Sequence, residues 1–136
     1  MPTPVYPPFL NAAKDSSRCF EHDVGQSGGE LDVAALAATL DAAAAEATTE
    51  VVLLWCNPHN PTGRVWRREE MAAVAGACAE RGVVLLSDEV WSGLILDGVA
   101  FTPAGALLET TPGLRLITIT SPSKTYNVAG LDLALG

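Results

Sequence analysis

The sequence predicts an α/β fold in three layers, with helices on both faces of a mainly parallel β-sheet. Short, continuous apolar runs alternate with alanine-rich helical segments, and this strand–helix–strand order is typical of parallel sheets. Runs without polar residues are expected where both faces of a strand are covered. Three of these runs lead directly into polar loops, which places candidate functional residues at the carboxyl ends of neighbouring strands.

Size and charge narrow the class of protein. A chain of 136 residues is long enough for one modest core, and its 49% hydrophobic content indicates a folded core rather than a disordered chain. The net charge of −8 argues against a nucleic-acid partner and against an anionic membrane, since both require a basic surface. Neither kind of partner is therefore expected.

The sequence also favours a cytoplasmic location. Its continuous apolar runs, such as residues 51–56, are far shorter than the ~18 residues of a membrane span. The first residues have neither the basic nor the apolar region of a signal peptide. Cys19, Cys56 and Cys78 are odd in number and widely spaced, which indicates buried thiols in a reducing compartment. No metal site is expected, and His22, among acidic residues, is predicted to be a surface histidine.

The first third of the chain contains one clear helix. Four prolines in residues 2–9 predict an extended segment that cannot be helical. Residues 11–30 indicate a short helix or turn, a weak strand near 18–24 and a loop. Asp32 is a suitable N-cap for a helix over 33–47, in which Leu36 and Leu40 share one face.

The remaining elements form the predicted sheet. Strands are expected over 50–56, 83–86 and 114–120. A helix is expected from about Arg67 to Arg81, with Gly82 as its C-terminal stop.

The loops after these strands carry three motifs. They are Asn57-Pro58-His59-Asn60-Pro61-Thr62-Gly63, Ser87-Asp88-Glu89-Val90-Trp91 and Ser121-Pro122-Ser123-Lys124-Thr125-Tyr126-Asn127. Taken singly, each is most simply a turn, and Lys124 would be a solvated loop lysine. Together, in this order, they resemble the pyridoxal-phosphate (PLP) enzymes of the aspartate aminotransferase fold. Asp88 lies 28 positions after Asn60 and Lys124 lies 36 after Asp88, as that family would place them.

The resemblance implies roles for three residues. Lys124 would hold the cofactor as a Schiff base and move protons at the substrate α-carbon. A lysine suits this role because its pKa falls on burial. Asp88 would keep the pyridine nitrogen protonated through a charge-assisted hydrogen bond. Asn60 would bind the phenolic oxygen, and the Asn60–Pro61 bond is a candidate cis peptide.

Other residues are implied less directly. Tyr6 resembles the aromatic residue that stacks on the pyridine ring, and Ser121 and Ser123 resemble phosphate-binding hydroxyls. Trp91 stands where transaminases usually carry tyrosine and many C–S lyases histidine, so it can pack beside the cofactor but cannot repeat a phenol's hydrogen bond. Asp132 replaces an arginine that many relatives place eight positions after the lysine.

The motif spellings most resemble the cystathionine β-lyase-like (MalY/PatB-type) C–S lyases. This implies a β-lyase that converts cystathionine or another S-substituted cysteine to a thiol, pyruvate and ammonia. An aminotransferase using the same residues is the first alternative, and an inactive fragment or non-catalytic remnant is the second. On this resemblance, residues 1–136 are the central part of the PLP-binding large domain, without its phosphate-binding N-terminal part or the C-terminal small domain. Full-length relatives are expected to be homodimers.

Overall fold

The structure is a computed structural model that describes residues 1–16, 19–25, 30–96 and 98–136, without the side chains of residues 14–16. Its elements follow one another in the order β1 (Pro2–Thr3), α1 (Pro7–Ser16), β2 (His22–Asp23), α2 (Val33–Glu46), β3 (Val52–Cys56), α3 (Arg68–Glu80), β4 (Val84–Asp88), a 3₁₀ turn (Ala104–Leu107), β5 (Arg115–Ile119), α4 (Pro122–Thr125) and a second 3₁₀ turn (Ala129–Leu131).

The main sheet has three parallel strands in the order β3-β4-β5. Cys56 pairs with Asp88, and Asp88 pairs with Ile119, so all three strands end at the same level. β1 and β2 form a separate parallel pair. The predicted α/β class with a parallel sheet is confirmed, and the sheet brings the three motif loops to one edge.

Helices α2 and α3 pack on each other and share one apolar core with the sheet. Asp32 caps α2 as expected, because its Oδ1 accepts a hydrogen bond of 2.9 Å from the Ala35 amide. Leu36 and Leu40 are both buried. Gly82 follows α3 at φ +64°, a conformation that glycine adopts without strain.

The N-terminal segment differs from the prediction. Residues 2–9 are not extended throughout, because α1 begins at Pro7. Prolines are tolerated in the first turn of a helix, where the amide hydrogens have no partner within the helix. The predicted strand near 18–24 is the two-residue β2, and Arg18 lies outside the described residues.

Two expectations about polar side chains also need correction. His22 is not a surface residue, because only 5% of it is exposed. Among the residues that the structure describes, its Nε2 has no hydrogen-bond partner. All three cysteines are free, as expected, but only Cys56 and Cys78 are buried, while Cys19 is half-buried. Across the described ranges, no helix is long and apolar enough to cross a membrane, and no group of side chains could hold a metal ion.

Candidate active site

Backbone hydrogen bonds join the starts of the loops that follow the strands. The Asn57 amide donates to the Asp88 carbonyl at 2.9 Å, and the Glu89 amide donates to the Ile119 carbonyl at 2.8 Å. These bonds continue the ladder of a parallel sheet by one residue on each side of β4. Asp88 is therefore held between the loop of Asn60 and the loop of Lys124.

The carboxyl group of Asp88 is buried at the end of β4, with 7% of the residue exposed. Its Oδ1 accepts a hydrogen bond of 3.1 Å from the Val90 amide, and its Oδ2 lies 3.8 Å from Cys56 Sγ. Within the described ranges, no cationic side chain pairs with it. Burial raises the pKa of Asp88, because the charged form loses its hydration. This carboxyl group is suited to a cationic partner that the described part of the chain does not provide.

The neighbouring Glu89 carboxyl group has a structural role. Its Oε1 accepts hydrogen bonds from Ser87 Oγ at 3.0 Å and from the Ala104 amide at 2.8 Å. The second bond ties the end of β4 to the 3₁₀ turn that packs on α3 and β5. Glu89 is therefore committed to the protein's own backbone.

Lys124 lies in α4 and is exposed rather than buried. Its Nζ stands 5.3 Å from the centroid of the Trp91 ring, within the range of a cation–π contact. Trp91 is half-buried in the turn after β4. The structure thus brings Lys124 and Trp91 together, although they are far apart in the sequence.

The hydroxyl groups of Ser121 and Ser123 lie 2.7 Å apart at the start of α4. Ser121 Oγ accepts a hydrogen bond of 3.0 Å from the Ser123 amide and donates one of 2.5 Å to the Leu133 carbonyl. Ser121 is consequently the N-cap of α4. The pair predicted from the sequence is adjacent, and its hydroxyl groups are bonded within the chain.

The loop of Asn60 is anchored by Asn57, which is fully buried. Asn57 Oδ1 accepts a hydrogen bond of 3.1 Å from the Trp66 amide, and its Nδ2 donates one of 3.3 Å to the Thr102 carbonyl. Sequence reasoning treated Asn57 only as part of the motif. Its anchoring role could not be recognised, because Thr102 is remote in the sequence.

Asn60 itself is half-buried, and its side-chain amide makes no hydrogen bond within the described part of the chain. The Asn60–Pro61 peptide is cis, as expected, and so is Asn57–Pro58. Gly63 closes the loop at φ +73°.

His59, between the two prolines, is also buried, and its Nδ1 lies 2.8 Å from Thr62 Oγ1. Burial, reinforced by the charge of Arg64, lowers the pKa of His59. The Arg64 guanidinium stacks over the Trp66 ring at 4.2 Å and forms an ion pair with Glu70. These contacts pack the loop of Asn60 against Trp66, which belongs to the hydrophobic core.

Tyr6 packs against Phe9 in the N-terminal segment. It is 45% exposed, and its ring packs edge-on against Phe9 with the centroids 5.7 Å apart. In the part of the chain that is described, no hydrogen bond or ring contact links it to Asp88, Trp91 or Lys124.

The family model described as aminotransferase class I and II matches residues 1–135. Cystathionine beta-lyase PatB of Bacillus subtilis is 35% identical over 132 residues, which are 95% of this chain and 33% of that protein. Nicotianamine aminotransferase 1 of Oryza sativa subsp. japonica is 30% identical and matches 98% of this chain, or 26% of its own length. Among solved structures, the PLP-bound C–S lyase of Staphylococcus hominis superposes with a TM-score of 0.82 at 29% identity, covering 98% of this chain and 33% of that one.

The chain thus spans about a third of the length of the curated lyase relatives that it matches. The likeness extends over almost the whole chain and includes every loop of the candidate site. From this match, the chain belongs to the aminotransferase class I and II family of enzymes.

Proposed function

We propose that this chain is the core of a PLP-dependent C–S β-lyase that acts on cystathionine or another S-substituted cysteine. The observation that carries the proposal is the buried Asp88 carboxyl group, which has no cationic partner in the described chain and lies between the loops of Asn60 and Lys124. A protonated pyridine nitrogen is a cation of the required kind. The similarity to cystathionine β-lyase PatB supports the same assignment.

Asp88 would hold the proton on the ring nitrogen. Because burial disfavours the free carboxylate, an ion pair with a pyridinium would recover part of that cost. The carboxyl oxygens are oriented by the Val90 amide and by the nearby Cys56 thiol.

Lys124 would provide the amine that holds the cofactor and then moves the proton of the substrate α-carbon. Its exposed position in α4 leaves the amine accessible to a small molecule, and the Trp91 ring lies beside it. Trp91 would pack against the cofactor and exclude water from it.

The remaining candidates would orient the cofactor. The side-chain amide of Asn60, which makes no hydrogen bond to the described residues, would donate to a phenolic oxygen. Ser121 and Ser123 would bind the phosphate through their hydroxyl groups, which would have to exchange their present hydrogen bonds. Tyr6, which is 45% exposed and whose ring meets Phe9 edge-on, would stack on the pyridine ring.

When bound, PLP withdraws electrons from the α-carbon of the amino acid. In β-elimination, Lys124 would accept the α-proton and the carbon–sulfur bond would break, so that the sulfur would depart with the bonding electrons and become a thiol on protonation. Addition of water to the remaining three-carbon fragment yields pyruvate and ammonia.

An aminotransferase is the alternative, and the similarity to nicotianamine aminotransferase 1 favours it. Both reactions need the same lysine, aspartate and asparagine. They differ in the fate of the sulfur, because a transaminase keeps the carbon–sulfur bond in its keto-acid product. Analysis of the products from cystathionine therefore separates the two functions.

The first test is covalent capture of PLP. The purified chain would be incubated with PLP and dialysed, and its visible absorbance would be recorded. It would then be reduced with borohydride, and the modified residues would be mapped by mass spectrometry. We expect modification of Lys124, with loss of the visible absorbance band in Lys124→Arg and its retention in the matched Lys14→Arg variant. A band that is indifferent to Lys124 would contradict the proposal and indicate an incomplete, inactive part of the family's site.

The wider organisation is part of the same proposal. Residues 1–136 would be the central part of the cofactor-binding large domain, and the complete enzyme would be a cytoplasmic homodimer. The free cysteines support a reducing compartment. Sedimentation of a longer chain from the same source would test the dimer.

A further inference from the structure

The turn after β4 lies against the helix of Lys124 at Gly93. A Cβ atom placed on Gly93 would lie 2.0 Å from Thr125 Oγ1, 2.8 Å from Thr125 Cγ2 and 2.9 Å from Thr125 Cβ. Rotation about χ1 of Thr125 moves the first two atoms but leaves its Cβ in place. No rotamer of Thr125 would therefore make room for a side chain at position 93.

The requirement for glycine at this position is one of space. Gly93 is absent from the residues with positive φ, so its backbone conformation is open to other amino acids. At each of the other glycines that the structure describes, an added Cβ would meet nothing within 4 Å. Gly93 is thus distinguished from them by its contact with α4.

The two segments that meet here carry two candidate residues. Trp91 lies two positions before Gly93, Lys124 lies directly before Thr125, and the lysine Nζ stands 5.3 Å from the tryptophan ring. Both segments are ordered by their own hydrogen bonds. The Leu94 amide donates to the Trp91 carbonyl at 2.9 Å, and the Tyr126 amide donates to the Pro122 carbonyl at 3.0 Å.

We propose that Gly93 is a positioning residue that sets the distance between the Trp91 turn and the Lys124 helix, and thereby aims the Lys124 amine at the cofactor. The inference rests on the proposed PLP-binding function. A methyl group at position 93 cannot be absorbed by a flexible side chain, so the turn and the helix must separate. Displacements of about 1 Å are known to cost as much as 100-fold in reactions that depend on alignment.

The test compares Gly93→Ala with wild type and with Gly130→Ala, a nearby control whose added methyl group meets no atom within 4 Å. After incubation with PLP and borohydride reduction, modification of Lys124 is measured relative to Lys14, the only other lysine. We expect the ratio to fall about tenfold in Gly93→Ala and to stay unchanged in Gly130→Ala. Far-UV circular dichroism verifies that each variant is folded.

Compensating variants separate positioning from general damage. Thr125→Gly removes the three atoms nearest to the new methyl group, whereas Thr125→Ala leaves the Cβ at 2.9 Å. In the Gly93→Ala background we expect Thr125→Gly to restore the ratio to that of Thr125→Gly alone, and Thr125→Ala to restore less. Urea unfolding of wild type, Gly93→Ala, Thr125→Gly and the variant that carries both substitutions should show a coupling free energy between positions 93 and 125.

The outcomes distinguish the two proposals. If wild type shows no preference for Lys124 over Lys14, the proposed function fails and this inference fails with it. If wild type prefers Lys124 and Gly93→Ala does so equally, this inference alone is overturned. A loss in Gly93→Ala that Thr125→Gly does not relieve also overturns it, since the contact would not be the cause.

Discussion

Cys56 and Asp88 are direct partners in the parallel pairing of β3 and β4, and the Cys56 Sγ atom lies 3.8 Å from Asp88 Oδ2. Both are buried at the end of their strands. The sulfur also lies 3.1 Å from the Pro58 carbonyl oxygen, so two acceptors share this one weak donor. The Asp88 carboxyl group therefore has a weakly polar thiol beside it. An ionised carboxylate in a buried position needs a strong hydrogen-bond donor or a cation.

Asp88→Asn is expected to stabilise the chain without cofactor at pH 7, since it removes a buried charge that has no cationic partner in the described part of the chain. Burial raises the pKa of Asp88 above its ordinary 3.8. Between the pKa of the unfolded chain and the higher pKa of the folded protein, the folded protein therefore binds more protons. Stability that is present below pH 3.8 is then lost above it. Urea unfolding at pH 7 and in acid measures the difference.

The higher stability of Asp88→Asn should disappear in acid, where Asp88 is neutral in both the folded and the unfolded state. Asp88→Asn should also retain PLP less well than wild type. If Asp88→Asn is equally or less stable at pH 7, the carboxyl group is not strained by its burial.

The buried thiols should be unreactive toward alkylating reagents in the folded protein. Burial raises the pKa of both Cys56 and Cys78 to about 12, and the charge of Asp88 reinforces the effect at Cys56. At pH 8 only about one thiol in 10⁴ would be ionised, and the thiolate is the reactive form. We expect iodoacetamide to modify these two cysteines only after unfolding in urea. Labelling of Cys56 at the same rate in folded and unfolded protein would contradict its placement beside Asp88.

Glu89→Ala should destabilise the fold by about 2 kcal/mol, because the Ala104 amide would lose its acceptor in a buried setting. Glu89→Gln keeps an acceptor oxygen and should lose less. The midpoint of urea unfolding provides the comparison, with the exposed Glu109→Ala as the matched control. Equal midpoints for Glu89→Ala and Glu109→Ala would show that the bond between β4 and the 3₁₀ turn contributes nothing.

His59 should make the fold sensitive to mild acid. The pKa of His59 is lowered by burial and by the charge of Arg64. As the pH falls, the unfolded chain therefore binds a proton near the ordinary pKa of 6.5, whereas the folded protein binds it only at lower pH. Stability is present above pH 6.5 and is lost as the pH falls through the folded pKa, at up to about 1.4 kcal/mol per pH unit.

His59→Gln should reduce this slope, as measured by urea unfolding between pH 7.5 and about 5. His22→Gln is the comparison, because burial also lowers the pKa of His22. If neither substitution changes the slope, the acid sensitivity arises from other groups.

Much of the architecture is readable in the sequence because it is encoded locally. Continuous apolar runs mark β3, β4 and β5, Asp32 and Gly82 mark the start of α2 and the end of α3, and the order of these elements predicts a parallel sheet. In a parallel sheet the carboxyl ends of the strands share one edge, so the association of the loops of Asn60, Asp88 and Lys124 also follows from the sequence.

Other features depend on tertiary structure. The extended prediction for residues 2–9 was wrong because Pro7 and Pro8 suit a helix that starts with them, and which conformation wins depends on what surrounds the segment. The burial of His22 depends on the pairing of β1 with β2. Neither follows from a local pattern.

The sequence by itself determined the order of strands and helices, the buried strand that ends in Asp88, and the family motifs. Only the tertiary structure decided that Cys56 lies against Asp88, that Lys124 stands over Trp91, and that Gly93 leaves no room beside Thr125. The physical reason is distance along the chain. Propensity, capping and hydrophobic period act over a few residues, whereas contacts between remote residues are set by strand register and by the packing of loops.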